Sequence, residues 1–154
     1  MRTSIARKIL VGLLLLLASV GLASALESFG TGRLTIETAA GGHYPFQVEI
    51  AETPRQMAQG LMFRQEMAAD AGMLFILPKD QPMSMWMKNT LIPLDMVFIG
   101  RDGRIVNIHE RAVPGSLDAI SSAAPVRGVL ELNGGVTSRL GIRAGDRIIH
   151  EAFQ

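Results

Sequence analysis

The chain has 154 residues, no cysteine and a formal net charge of +1. Without a thiol it can form no disulfide, thiolate zinc site or cysteine nucleophile, and its core alone must hold it together. Three of the 15 basic residues and none of the 14 acids fall in the first 25 positions, so the remainder carries −2 in scattered signs, with no basic footprint for nucleic acid.

Arg2, Arg7 and Lys8 give a basic start, Ile9 to Leu22 is an uncharged apolar run, and Ala23-Ser24-Ala25 supplies a small-x-small cleavage pattern. A spanning helix needs roughly 20 apolar residues, and this run is shorter. The pattern predicts a signal peptide over residues 1–25, removed on export to the periplasm or beyond. No stable membrane span is expected after cleavage.

Period-two alternation, the mark of half-buried strands, recurs through the rest of the chain. Leu34 and Ile36 alternate with polar residues before a Gly41-Gly42 turn, and Phe46, Val48 and Ile50 follow on one face. Thr53-Pro54 with Gln56 predicts a capping box and a short helix that Gly60 ends. Met73 to Leu77 is a continuous apolar run ended by Pro78, expected to be a strand covered on both faces. Further strands are expected at Met83–Lys88, Leu94–Ile99, Arg104–His109, Arg127–Leu132 and Arg147–Ala152, with a hairpin at Asp102-Gly103. Arg111 to Ala124 is the longest expected loop, and a second short helix runs from about Val136 to Leu140, ended by Gly141. The reading is mainly β: one compact β-sandwich or barrel-like domain over residues 26–154, with one or two short helices.

Several residue groups bear on chemistry. Met83, Met85 and Met87 alternate beside Trp86, and thioethers select Cu(I), although methionine also fills irregular cores. His43, His109 and His150 have no metal-ligand spacing, and no G-x-S-x-G elbow accompanies the serines. Asp95 is more informative. It lies inside Leu91-Ile92-Pro93-Leu94-Asp95-Met96-Val97-Phe98-Ile99, where an ionised carboxylate is costly unless paired or hydrogen-bonded. Lys88-Asn89-Thr90 stands just before it, and Glu131 is a second acid within an apolar strand.

Five ordered motifs carry a family resemblance: Gly60-Leu61-Met62-Phe63-Arg64, Gly72-Met73-Leu74-Phe75, Trp86-Met87-Lys88-Asn89-Thr90, Pro93-Leu94-Asp95-Met96-Val97-Phe98 and Val129-Leu130-Glu131-Leu132. From about Leu34 to Phe153 the chain resembles the domain of unknown function 192 family of bacterial and archaeal proteins, many of them exported. The resemblance implies a compact β-rich fold and no assigned catalytic role. Its motif residues fall here on Arg64, Trp86, Lys88, Asn89, Thr90, Asp95 and Glu131. Met83 and Met85 lie outside the pattern, which weakens the copper reading.

These residues are the expected ligand-binding set of a non-enzymatic envelope module that takes a small polar ligand, a glycan or a protein, without a cofactor. The alternative is a hydrolase that uses Asp95 or Glu131 as general acid or base.

Overall fold

Alternation along the chain becomes a strongly curved antiparallel sheet with one parallel pair. The computed structural model describes residues 26–154, and the expected signal peptide lies outside them. In chain order the elements are β1 (Gly30–Glu37), β2 (His43–Ala51), α1 (Pro54–Gln59), β3 (Ala71–Gln81), β4 (Ser84–Met85), β5 (Leu94–Ile99), β6 (Ile105–Ala112), β7 (Ile120–Ser121), β8 (Val126–Asn133), α2 (Val136–Leu140) and β9 (Arg147–Ile149). A 3-10 turn, Glu151–Phe153, closes the chain. Seven strands form one sheet in the order β6-β5-β8-β3-β2-β1-β9, and β4 pairs with β7 in a small second sheet.

The large sheet curls until its edges touch. Arg104 bridges Arg147, the Ile105 N–H donates to the Asp146 carbonyl at 2.8 Å, and the Ile148 N–H donates to the Gly103 carbonyl at 2.8 Å. Such contact removes part of the unpaired edge that an open sheet exposes. The result is barrel-like, as the strand pattern predicts.

Side-chain alternation sorts the apolar residues into two layers. Leu34, Ile36, Phe46, Val48, Leu74, Val97, Ile99, Leu130 and Leu132 pack within the curl. Met73, Phe75, Leu94, Met96, Phe98 and Val129 pack on the outer face, where Leu61, Met87 and Ile120 cover them. Every residue of β5 is therefore buried. Truncating a large side chain such as Phe98 to alanine here costs about 3–5 kcal/mol.

The parallel pair, β2 with β3, is joined through α1. Thr53 Oγ1 accepts from the Gln56 N–H, and Gln56 Oε1 accepts from the Thr53 N–H, completing the predicted capping box.

Four boundaries differ from the sequence expectation. β6 runs on to Ala112, into the expected loop, where Leu94 of β5 pairs with it. β3 continues past Pro78 to Gln81, because its pairing with β8 shifts register between Ile76 and Gln81 and a bulge tolerates a residue without an N–H. The expected strand Met83–Lys88 is only two residues long, limited by its equally short partner β7, which lies inside the expected loop. The last strand stops at Ile149, where the His150 ring accepts from the Ala152 N–H and starts the 3-10 turn.

Candidate functional site

Two loops meet at one end of the sheet. After β4, the chain from Trp86 to Leu91 lies against the segment that follows β6. The Met87 N–H donates to the Ser116 carbonyl at 3.0 Å, and the Gly115 N–H donates to the Met87 and Thr90 carbonyls, each at 3.1 Å. Thr90 closes a local turn, its N–H on the Met87 carbonyl and its hydroxyl on the Lys88 carbonyl. A third segment joins through the Phe63 N–H, which donates to the Asn89 carbonyl at 2.9 Å. Phe63 and Asn89 both hold left-handed backbone conformations, with φ of 66° and 53°. Non-glycine residues take that conformation at a cost of order 1–3 kcal/mol, which the surrounding contacts must offset.

Alternation divides the residues of this loop. Met83, Met85 and Met87 pack on the outer apolar layer, whereas Trp86 is 49% exposed and Lys88 is also exposed. The Lys88 ammonium sits 5.1 Å from the Trp86 ring centroid, within cation–π range. Lys88, Asn89, Thr90 and Leu91 form one wall of a depression of about 560 Å³, and Pro114 and Leu117 form the other. Lys88 makes no ion pair with any described residue.

Asp95 does not join this surface. It points into the curl on the face of Val97 and Ile99, and it is completely buried. Its Oδ1 accepts from the Arg111 and Gly135 N–H groups, both at 2.8 Å. Its Oδ2 accepts from the Thr137 N–H at 2.9 Å and the Thr137 hydroxyl at 2.6 Å. The reason lies in the pairing of β5 with β6. Leu94 faces Ala112 and Met96 faces His109, so Glu110 and Arg111 together oppose Asp95. Such a bulge removes an N–H from the ladder, and Asp95 takes it up. Arg111 has φ of 52° and Gly135 has φ of 88°, so the carboxylate fastens two left-handed positions and the start of α2. Four donors satisfy a buried carboxylate. That leaves it nothing to offer a ligand.

Glu131 lies apart from both. On the outer face of β8 it stands directly opposite Met73 on one side and Met96 on the other. The residue is almost wholly buried. Burial pushes its carboxyl up to about 8, so the neutral acid prevails at pH 7. It lines neither the Lys88 depression nor the groove beside Arg64.

Arg64 belongs to that separate groove, of about 770 Å³, over the outer face of β1, β2 and β3. Its guanidinium is paired with Glu49 at 2.8 Å. Of the seven residues expected to form one site, the fold thus gathers Trp86, Lys88, Asn89 and Thr90. Arg64 is one groove away, connected through Phe63, and Asp95 and Glu131 are built into the sheet. Sequence reasoning missed Leu91, Pro114 and Leu117, which complete the depression, because nothing local marks which loops will meet. It also missed Glu49 as the partner of Arg64. Among the described residues, no three His, Asp or Glu side chains are grouped to hold a metal ion.

The sequence pattern of the DUF192 family, described as an uncharacterized ACR, matches residues 35–150. The chain belongs to this family. Two solved structures are similar to this DUF192 chain. One, from Sinorhizobium meliloti 1021 and described provisionally as a transcription regulator, is 48% identical, with a TM-score of 0.80 over 83% of this chain and 99% of that one. The other, a protein of unknown function from Novosphingobium aromaticivorans DSM 12444, is 36% identical, with a TM-score of 0.76 over 82% of this chain and 94% of that one. No curated protein matches the chain. Among the described residues of this DUF192 domain, no helix is long and apolar enough to cross a membrane.

Proposed function

We propose that this DUF192 domain is a non-catalytic module of the cell envelope that docks a protein partner on the surface formed by Trp86, Lys88, Asn89, Leu91 and Leu117. One observation carries this reading. Phe63, Trp86, Leu91, Val113 and Leu117 are large, apolar and exposed, and they come from three segments hydrogen-bonded to one another. Clustered apolar exposure with an aromatic anchor suits a protein contact. Charge narrows the partner. Among the described residues Lys88 is the only ionisable one lining the depression, so the complementary segment carries a carboxylate for Lys88 and apolar side chains for Leu91 and Leu117.

Catalysis has less support, because Asp95 is saturated by internal donors and Glu131 opens on neither groove. A role in transcription, as described for the Sinorhizobium relative, would call for a cationic face, whereas residues 26–154 carry −2.

A photo-crosslinking residue placed at Leu117 of the full chain, in its native envelope, tests the proposal. The expected result is one discrete adduct, lost on Trp86→Ala or Lys88→Glu and absent when the probe sits at exposed Ala40 in the β1–β2 turn. No adduct at Leu117, or one that survives both substitutions, would refute it.

A further inference from the structure

The depression at Lys88 is not the end of the apolar surface. A second hollow, of about 530 Å³, is lined by Arg55 and Ala58 of α1, by Leu26 and Glu27, and by Met62 and Phe63. The two hollows share a ridge. The Phe63 N–H donates to the Asn89 carbonyl at 2.9 Å, and Asn89 Nδ2 donates to Met62 Sδ at 3.9 Å, so a wall of one is fastened to a wall of the other. The far wall is fixed as well. Gln59 Oε1 accepts from the Glu27 N–H at 2.8 Å, and Gln56 Nε2 donates to the Ser28 carbonyl at 2.8 Å. Walls held in this way spare a partner the cost of ordering them.

Phe63 stands on that ridge in a conformation that folding does not explain. Among the described residues, Phe63, Asn89 and Arg111 are the non-glycine residues with positive φ. Asparagine tolerates the left-handed region, and Arg111 owes its conformation to the bulge that Asp95 fastens. Phe63 has neither reason. Its bond to Asn89 is made by the main chain, which glycine or asparagine would supply with less strain. A phenylalanine is there instead, and it is 54% exposed. Contact with a partner accounts for both the strain and the exposed ring.

Charge gives the surface a direction. Arg55 and Glu27 cancel in the second hollow, where Leu26, Met62 and Phe63 supply apolar contact. Lys88 has no such counterpart among the residues lining the first. A partner that fits both therefore brings a carboxylate to one end and apolar side chains to the other.

We infer that Phe63 is the central anchor of the partner surface, and that the partner binds through one continuous segment, acidic where it meets Lys88 and apolar where it crosses Phe63 into the hollow beside α1. This rests on the docking reading above and adds to it the extent and polarity of the bound segment.

Photo-crosslinking residues placed separately at Leu117 and at exposed Ala58 of the full chain, in its native envelope, test the inference. Both should capture the same protein, at attachment points within about ten residues of each other, since ten extended residues span roughly 33 Å. An aspartate or glutamate should lie nearer the Leu117 point. Phe63→Asn and Phe63→Gly keep the left-handed backbone and remove the ring. Each should lower both adduct yields by about tenfold or more, while the melting temperature holds or rises. A Leu117 adduct without an Ala58 adduct would overturn the inference and leave the docking reading standing. So would an Ala58 adduct with a different protein or with a second copy of this chain, or attachment points far apart or without an acid between them. Adducts that survive both substitutions would also overturn it, as would a lowered melting temperature in both, which would make Phe63 a structural residue. No adduct at either position would refute the docking reading and this inference together.

Discussion

Asp95 and Lys88 stand seven positions apart in sequence and meet opposite fates. The carboxylate of Asp95 is turned into the curl and met by four donors from Arg111, Gly135 and Thr137. Lys88 is turned outward, held only by the Trp86 ring, on a loop whose other exposed residues are largely apolar. The contrast teaches that a charged residue in a greasy strand marks an internal joint when the fold brings unpaired N–H groups to it. A charge on a loop whose apolar neighbours lack cover marks a contact surface. Burial alone distinguishes neither; the donor count does.

The sealed side predicts the largest effects. Glu131 holds its proton to about pH 8 when folded, whereas an unfolded glutamate releases it near 4.5. Between those values the folded state binds more protons, so stability is highest at the acid end of the window. It falls as pH rises through the folded value, by up to about 5 kcal/mol. Urea denaturation from pH 5 to 9 should trace this decline, and Glu131→Gln should flatten it. A flat profile in the unaltered protein would place Glu131 in contact with water. Asp95→Ala leaves the Arg111, Gly135 and Thr137 donors buried without an acceptor, and should cost about 3–5 kcal/mol in the same assay. A loss below 1 kcal/mol would mean that the bulge and α2 hold without it.

The open side predicts small ones. Trp86→Ala and Lys88→Glu remove a half-exposed ring and an exposed charge, so each should change stability by less than about 1 kcal/mol. A larger loss from either would make this loop a structural joint like Asp95, and thermal denaturation decides it.

The strands were legible because burial alternates along them. Phe46, Val48 and Ile50 disclose β2, and the unbroken run around Met73 discloses a strand with both faces covered. The capping box at Thr53 was legible because it is written within four residues. Closure of the sheet was not, since Arg104 meets Arg147 across 43 positions and no local pattern announces it. The same holds for the site. That Asp95 needed partners was plain from its surroundings, but the nearest polar residues in sequence, Lys88 to Thr90, proved not to be those partners. The bulge at Glu110 and Arg111 and the left-handed Gly135 supply them, and these are properties of strand register. The alternation of Met83, Met85 and Met87 beside Trp86 was legible, and in the fold it turns Trp86 and Lys88 outward.

The most direct measurement is the yield of the Leu117 photo-adduct in Asp95→Asn and in Lys88→Glu, taken below the melting temperature of each. With Asp95 an internal fastening and Lys88 a point of contact, the aspartate variant should melt earlier yet keep its adduct, and the lysine variant should melt normally and lose it. An adduct that vanishes in folded Asp95→Asn and persists in Lys88→Glu would contradict the assignment of both.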